Sequence, residues 1–250
     1  ETPDVGMFMK EWLALFESKS GERGIFNRVS AQEKAKENGR RKSDYAFGTN
    51  PCSEIILRPN QFCNLTEVVC RPADTVETLK NKIEVATILG TIQATLTNFG
   101  YLRKRWKDNT EEERLLGVSL TGIMDNSILS RIRSTLPETL QDMRQKAVSV
   151  NKEWSEKLGI PQSTAITCVK PSGTVSQLVD SASGIHARHN PYYIRTVRGD
   201  KKDPLTEFMK DQGIPCEDDV MQPNNSVFSF PMKSDSNAVF RDDMTAIEQL

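Results

Sequence analysis

Asn50, Cys52 and Glu54, with Cys63 eleven positions after the first thiol, are the side chains of this 250-residue sequence whose types and spacing best suit chemistry. Sulfur gives up a hydrogen atom or an electron pair more readily than oxygen, and two nearby thiols can end as a disulfide. Were "CSEIIL" extended, Cys52, Glu54 and Ile56 would share one face and Ser53 and Ile55 the other, because side chains alternate along a strand. A thiol and a carboxylate would then meet the same ligand, joined by Asn50 unless Pro51 turns the chain away. An amide, a sulfur and a general base together suit a hydroxylated substrate such as a sugar. The plainer account of the triplet alone is a surface glutamate beside a buried apolar cysteine.

A second group is "KPSGTVSQL". Gly173 lets backbone amides approach a phosphate, Ser172, Thr174 and Ser176 carry hydroxyls, and a following helix would point its positive end at the charge. Its competitor is a strand-to-helix turn capped by serine or threonine. "GIHARHNPYYIRTVR" holds both histidines, but His186 and His189 have no third ligand in sequence, so no metal site is expected. Packing of Tyr192 and Tyr193, with Arg195 and Arg198 on one strand face, explains the segment more plainly.

The elements that must position these groups alternate as in α/β proteins. Phe8, Trp12, Leu15 and Phe16 predict a helix burying one face. "GERGIF" reads as a turn into a short strand, and Ser30 with Glu33 as a capping box for a helix stopped at Asn38-Gly39. Asp74 and Glu77 open a long helix with Leu79, Ile83, Ala86 and Gly90 on one face. "TEEERLLGVSLTGIM" starts like a helix N-terminus and continues as a buried strand or a buried helix. Pro137 and Gly159 bracket a further helix, "STAITCV" is a β-branched run, and "YYIRTVR", a helix from "DPLTEF" to Gly213, and "SVFSF" complete the series. One α/β domain over 1–250 is expected. An acidic turn leads into an apolar face that never completes at "DDMTAIEQL", so the domain is expected to be truncated.

Composition narrows the function. The 33 basic and 34 acidic residues nearly cancel, against a dedicated nucleic-acid binder. An apolar content of 37% and a charged content of 27% are globular, not disordered. No apolar run nears the roughly 20 residues of a membrane span, and the N-terminus lacks a signal peptide's pattern, so a cytoplasmic protein is expected. Five irregularly spaced cysteines fit neither a disulfide scaffold nor a zinc knuckle. Cys70, Cys168 and Cys216 read as small buried or incidental thiols.

"SGERGIFNR", "FGTNPCSEIILRPNQFCNLTEV", "ERLLGVSLTGI", "KPSGTVSQL" and "GIHARHNPYYIRTVR" together resemble the adenosylcobalamin-dependent (class II) ribonucleotide reductases, especially their ribonucleoside-triphosphate branch. The resemblance runs from about residue 20 to 198 and implies part of a ten-stranded α/β barrel whose central finger loop carries a thiyl-radical cysteine, here Cys52. It implies that Cys52 removes the 3′ hydrogen of the ribose, Glu54 takes the 3′ hydroxyl proton and Asn50 holds the sugar hydroxyls. Cys63 would be one of the reducing pair, its partner lying upstream of residue 1. The substrate phosphates would lie along Pro171, Ser172, Gly173, Thr174, Val175 and Ser176. Adenosylcobalamin is the implied cofactor, with a ribonucleotide substrate and a dithiol reductant such as thioredoxin as partners. Lacking the second reducing cysteine and a C-terminal cysteine pair, the 250 residues alone are expected not to turn over. A reductase fed by a separate metal-containing subunit and a non-catalytic nucleotide-binding module are the alternatives.

Overall fold

The computed structural model describes residues 3–20, 24–131 and 134–249. Its centre is a pair of parallel strands, β3 (Asn64–Val69) and β4 (Leu116–Thr121), in register from Asn64 opposite Leu116 to Val69 opposite Thr121. Parallel neighbours need a crossover. Two helices, α3 (Val76–Gln93) and α4 (Lys104–Glu113), supply it. A second crossover through α5 (Leu136–Leu158) returns the chain beside β4, where Thr167 bridges Val118 in parallel and Cys168 N donates to Val118 O at 3.1 Å.

The face expected of α3 is the one it buries. Leu79, Ile83, Ala86 and Gly90 pack with Val68, Leu116, Val118, Met143, Ala147 and Ile166 between the strands and α5. Each large apolar side chain removed from water there contributes about 2 kcal/mol. The helix starts one residue later than Asp74 suggests. Thr75 and Thr78 exchange side-chain and backbone bonds as a capping box, while Asp74 accepts from Arg71 N and pairs with Lys82. Gly159, in the left-handed conformation at φ +67°, ends α5 as predicted.

Two short strands, β1 (Gly48–Thr49) and β2 (Ile56–Leu57), pair antiparallel and enclose residues 50–55. Further along, β5 (Tyr192–Asp200), β6 (Cys216–Asp218) and β7 (Asn225–Lys233) form an antiparallel sheet in the order β5-β7-β6, with α7 (Pro204–Asp211) in the connection. The remaining helices are α1 (Val5–Ser18), α2 (Arg28–Lys36) and the four-residue α6 (Val175–Leu178) and α8 (Ala246–Gln249). The architecture is mixed α/β. Among the described residues no helix is long and apolar enough to cross a membrane.

Four local readings change. In α1 no residue is buried, and Phe8, Trp12 and Phe16 all face solvent, so among the described residues its apolar stripe has no partner. Asn27, not Ser30, caps α2, accepting from Ser30 N at 3.0 Å. The turn expected at Gly21, Glu22 and Arg23 lies outside the described residues, and residues 24–27 form no strand. Glu111, Glu112 and Glu113 end α4 instead of starting a helix, with Arg114 in the left-handed conformation behind them.

Basic side chains, not a helix N-terminus, hold those glutamates. Glu112 accepts from Arg58 at 2.8 Å and from Lys42 at 3.1 Å, and these bonds bring its carboxyl down to about 2. A carboxyl lowered in the folded state stabilises fully above its unfolded value, about 4.3, and loses that contribution as pH falls towards its folded one. Glu112→Gln is therefore expected to lower the urea midpoint at neutral pH by an amount that vanishes near about pH 2. Parallel urea titrations of the two proteins across that range check it.

Candidate active site around Glu54 and three thiols

Pro51 does turn the chain. Ser53 N donates to Asn50 O at 3.0 Å, closing a turn with proline at its favoured second position. Ser53 adopts φ +63°, a region costly for a residue with a Cβ. Asn50 Oδ1 then accepts from Ile55 N at 3.0 Å and fastens the loop across its neck. The extended "CSEIIL" is thus corrected: regular strand begins only at Ile56, and alternation does not place Cys52 beside Glu54. The turn does the sorting instead. Cys52 is exposed at the tip, whereas the Glu54 side chain is 1% exposed.

Glu54 Oε1 accepts from Lys170 Nζ at 3.0 Å. Its other oxygen, Oε2, is buried and has no hydrogen-bond partner among the described residues. Burial raises the Glu54 carboxyl, but the Lys170 ammonium, the nearby Asn50 side chain and its own backbone N–H together hold it below the usual glutamate value. Glu54 is a carboxylate at neutral pH with one oxygen uncommitted.

Two thiols lie within its electrostatic reach. Cys63, half-buried just before β3, is raised by burial and by Glu54, with Lys170 opposing. Cys168, beside β4, is pushed up to about 12 by burial, then by Glu54 and Cys63. Both stay protonated at neutral pH, the form that can give up a hydrogen atom. Gly117 between their strands leaves the space: a Cβ there would stand 2.4 Å from Leu65 Cδ2, 3.1 Å from Cys168 Sγ and 3.2 Å from Ile55 Cδ1. Cys52 also acts on Lys170, so the loop tip lies within electrostatic reach of the cluster.

Lys170 leads directly into the serine-glycine segment. Ser172 and Ser176 are buried and bonded to each other's backbone: Ser176 N donates to Ser172 Oγ at 3.1 Å and Ser176 Oγ to Ser172 O at 2.9 Å. Ser183 Oγ also donates to Ser172 O. Pro171, Gly173, Thr174 and Val175 are exposed along the outer side. The serines shape the loop, and its exposed backbone and Thr174 are what a ligand can meet.

Sequence reasoning grouped Asn50, Cys52, Glu54 and Cys63, and missed Cys168 and Lys170. Cys168 ends an apolar run like any core thiol, and Lys170 is one of 33 basic residues. Lys170 opens the segment "KPSGTVSQL", but nothing local to either residue points to Glu54. Cys70 is buried in the core and raised to about 12, mainly by burial, and Cys216 is exposed on β6. Among the described residues no group of three or more metal-binding side chains forms. His189 lies against the Tyr193 ring and His186 beside Ser183 O. Arg195 and Arg198 are three apart on β5 and so face opposite ways, correcting the single face expected for them.

No protein-family model matches the chain. Among curated proteins it is similar to adenosylcobalamin-dependent ribonucleoside-triphosphate reductases. It is 29% identical over 211 residues to that of Lactobacillus delbrueckii subsp. bulgaricus, covering 75% of this chain and 28% of the relative. The Lacticaseibacillus paracasei protein is 29% identical over 250 residues, covering 89% and 33%, and the Euglena gracilis protein 29% over 242, covering 92% and 32%. The chain thus spans about a third of the length of these relatives. A crystal structure of a B12-dependent (class II) ribonucleotide reductase superimposes with a TM-score of 0.66 at 24% identity, over 81% of this chain and 32% of that one, and shares the fold. The resemblance read from the motifs therefore stands, and the chain is similar, over most of its length, to a portion of the adenosylcobalamin-dependent ribonucleoside-triphosphate reductases.

Proposed function

We propose that the protein carrying this chain reduces ribonucleotides, in particular ribonucleoside triphosphates, to 2′-deoxyribonucleotides by thiyl-radical chemistry. The observation that carries the reading is Glu54 Oε2, a buried carboxylate oxygen without a partner among the described residues, whose charge acts on two protonated thiols. A buried charged acceptor is costly to leave unpaired, and a donor hydroxyl from a ligand would satisfy it. A ribose 3′ hydroxyl is such a donor. Glu54 takes its proton as Cys52, in the thiyl form, removes the 3′ hydrogen, and the 2′ hydroxyl then leaves as water on a proton given by the reducing thiol Cys63. Asn50 has spent its oxygen on Ile55 N and offers its NH2 on the Glu54 side, where it would also meet a sugar hydroxyl. Cys63 supplies one of the two reducing thiols, the second coming from elsewhere in the complete protein and a dithiol such as thioredoxin restoring the pair.

The triphosphate lies against Gly173, Thr174 and the exposed backbone of 171–176. Adenosylcobalamin, when bound, supplies the organic radical by homolysis of its cobalt–carbon bond. The residue that suits it is Cys52, whose exposed thiol at a loop tip is open to a large group approaching from outside. The residues 1–250 belong to a single domain of the ten-stranded barrel type, with residues 50–55 as its finger loop.

Incubating the complete protein with CTP or ATP and a dithiol, with and without adenosylcobalamin, tests the reading. Deoxynucleotide formed only with the cofactor is the expected result. Reduction that ignores it would point to a separate radical source, and nucleotide binding without product under any condition would leave a binding module.

A further inference from the structure

We infer that Lys170 is the positioning residue of the site: it fixes Glu54 as an oriented carboxylate and ties that base to the nucleotide-phosphate loop. The inference rests on the reductase reading, but its first observation does not. A carboxylate with a side chain 1% exposed needs a compensating charge, and among the described residues the cation bonded to it is Lys170 at 3.0 Å. The charged and titratable groups that act on this pair are Cys52, Cys63 and Cys168. All three are thiols, so among the described residues they offer no cation in place of Lys170.

Orientation follows from the same bond. With Oε1 held by the ammonium, Oε2 is the oxygen left for a ligand, and Asn50, bound to Ile55 N, acts on the same carboxylate. Lys170 stays an ammonium throughout, because the Glu54 hydrogen bond raises it further. The proton taken from the substrate goes to Oε2, and no bond to Lys170 forms or breaks.

Placement in the chain supplies the coupling. Two residues before Lys170, Cys168 N is anchored on Val118 O, and one residue after it the loop 171–176 begins. Gly184, at φ +54°, brings its backbone so close that a Cβ would stand 3.0 Å from Lys170 O and 3.4 Å from Ser172 N. The lysine backbone is therefore clamped from both sides. A nucleotide phosphate settling on the loop acts on the same residue that orients the base.

The test uses the complete protein with 13C-labelled glutamate, following the Glu54 carboxylate by infrared spectroscopy across pH and assigning it by subtraction of Glu54→Gln. Lys170→Met, with Lys170→Gln as a second neutral variant, is expected to move the Glu54 titration to higher pH, while Lys170→Arg restores it. Under turnover, kcat of the neutral variants is expected to fall on the order of 100-fold, with the acid limb of its pH profile displaced the same way. An unmoved Glu54 titration in a folded neutral variant, or a displaced titration with an unchanged kcat profile, would overturn the role. Absence of ribonucleotide reduction in the wild-type protein would overturn the reductase reading instead, and the infrared titration would still decide whether Lys170 governs Glu54.

Discussion

Cys52→Ser is expected to bring deoxynucleotide formation in the complete protein to background while leaving its unfolding midpoint unchanged. An oxygen–hydrogen bond is stronger than a sulfur–hydrogen bond, so a serine hydroxyl cannot take up the radical and pass it to a ribose carbon. The substitution is nearly isosteric and sits on an exposed turn whose shape comes from Pro51, the Ser53-to-Asn50 backbone bond and the Asn50 side chain. Exposed substitutions of this kind usually stay within about 0.5 kcal/mol. Loss of product with retained stability would thus separate the chemistry of the thiol from its place in the fold. Product surviving in the serine variant would move the radical to another thiol, and Cys63 and Cys168 are the two in the same cluster. Guanidinium titration beside a turnover assay gives both readouts from one preparation.

How legible the site was depended on where each residue's partners lie in the sequence. Cys52 and Glu54 stand in one short motif, where a thiol and a carboxylate two residues apart could be read together. Alternation nevertheless gave the wrong local geometry, because it assumed a strand where Pro51 and the positive φ of Ser53 make a turn. Lys170 meets Glu54 across 116 positions, and nothing local to either announces the bond. The same holds for the glutamates of α4. Their sequence looked like a helix start because the charge-dipole rule is local, yet Arg41 and Arg58, more than fifty positions away, decide their role. The helix α3 was readable since periodicity and packing agree, and α5 because Pro137 and Gly159 mark its two ends. The stripe of α1 was equally periodic, but periodicity states only that a face wants burial, not that a partner is present.

Those arginines lead to the largest expected effect on stability: Glu113→Ala is expected to cost about 3–5 kcal/mol. The Glu113 side chain is 1% exposed, and those of Arg41 and Arg58 are 4% and 3% exposed. Arg41 donates to both carboxylate oxygens at 2.9 and 2.8 Å, Arg58 pairs at 3.0 Å and Gln61 Nε2 donates at 2.5 Å. Removing the carboxylate strands two buried guanidiniums with only the half-exposed Glu112 left to answer Arg58. The network also secures the neck of the loop that carries Cys52 and Glu54. Arg58 follows β2 and lies 3.8 Å over the Tyr45 ring, Arg41 lies 4.8 Å over Phe47, and Phe47 precedes β1. Loosening it should release residues 48–57 before the α3–α5 core opens, which hydrogen exchange would record as selective loss of protection in the hairpin. Replacing all three charges together, as Arg41→Met, Arg58→Met and Glu113→Leu, should cost far less than Glu113→Ala, because it leaves no uncompensated charge. Equal losses in the single and triple variants would mean that the ion cluster itself, and not the stranding of its arginines, carries the stability of this region.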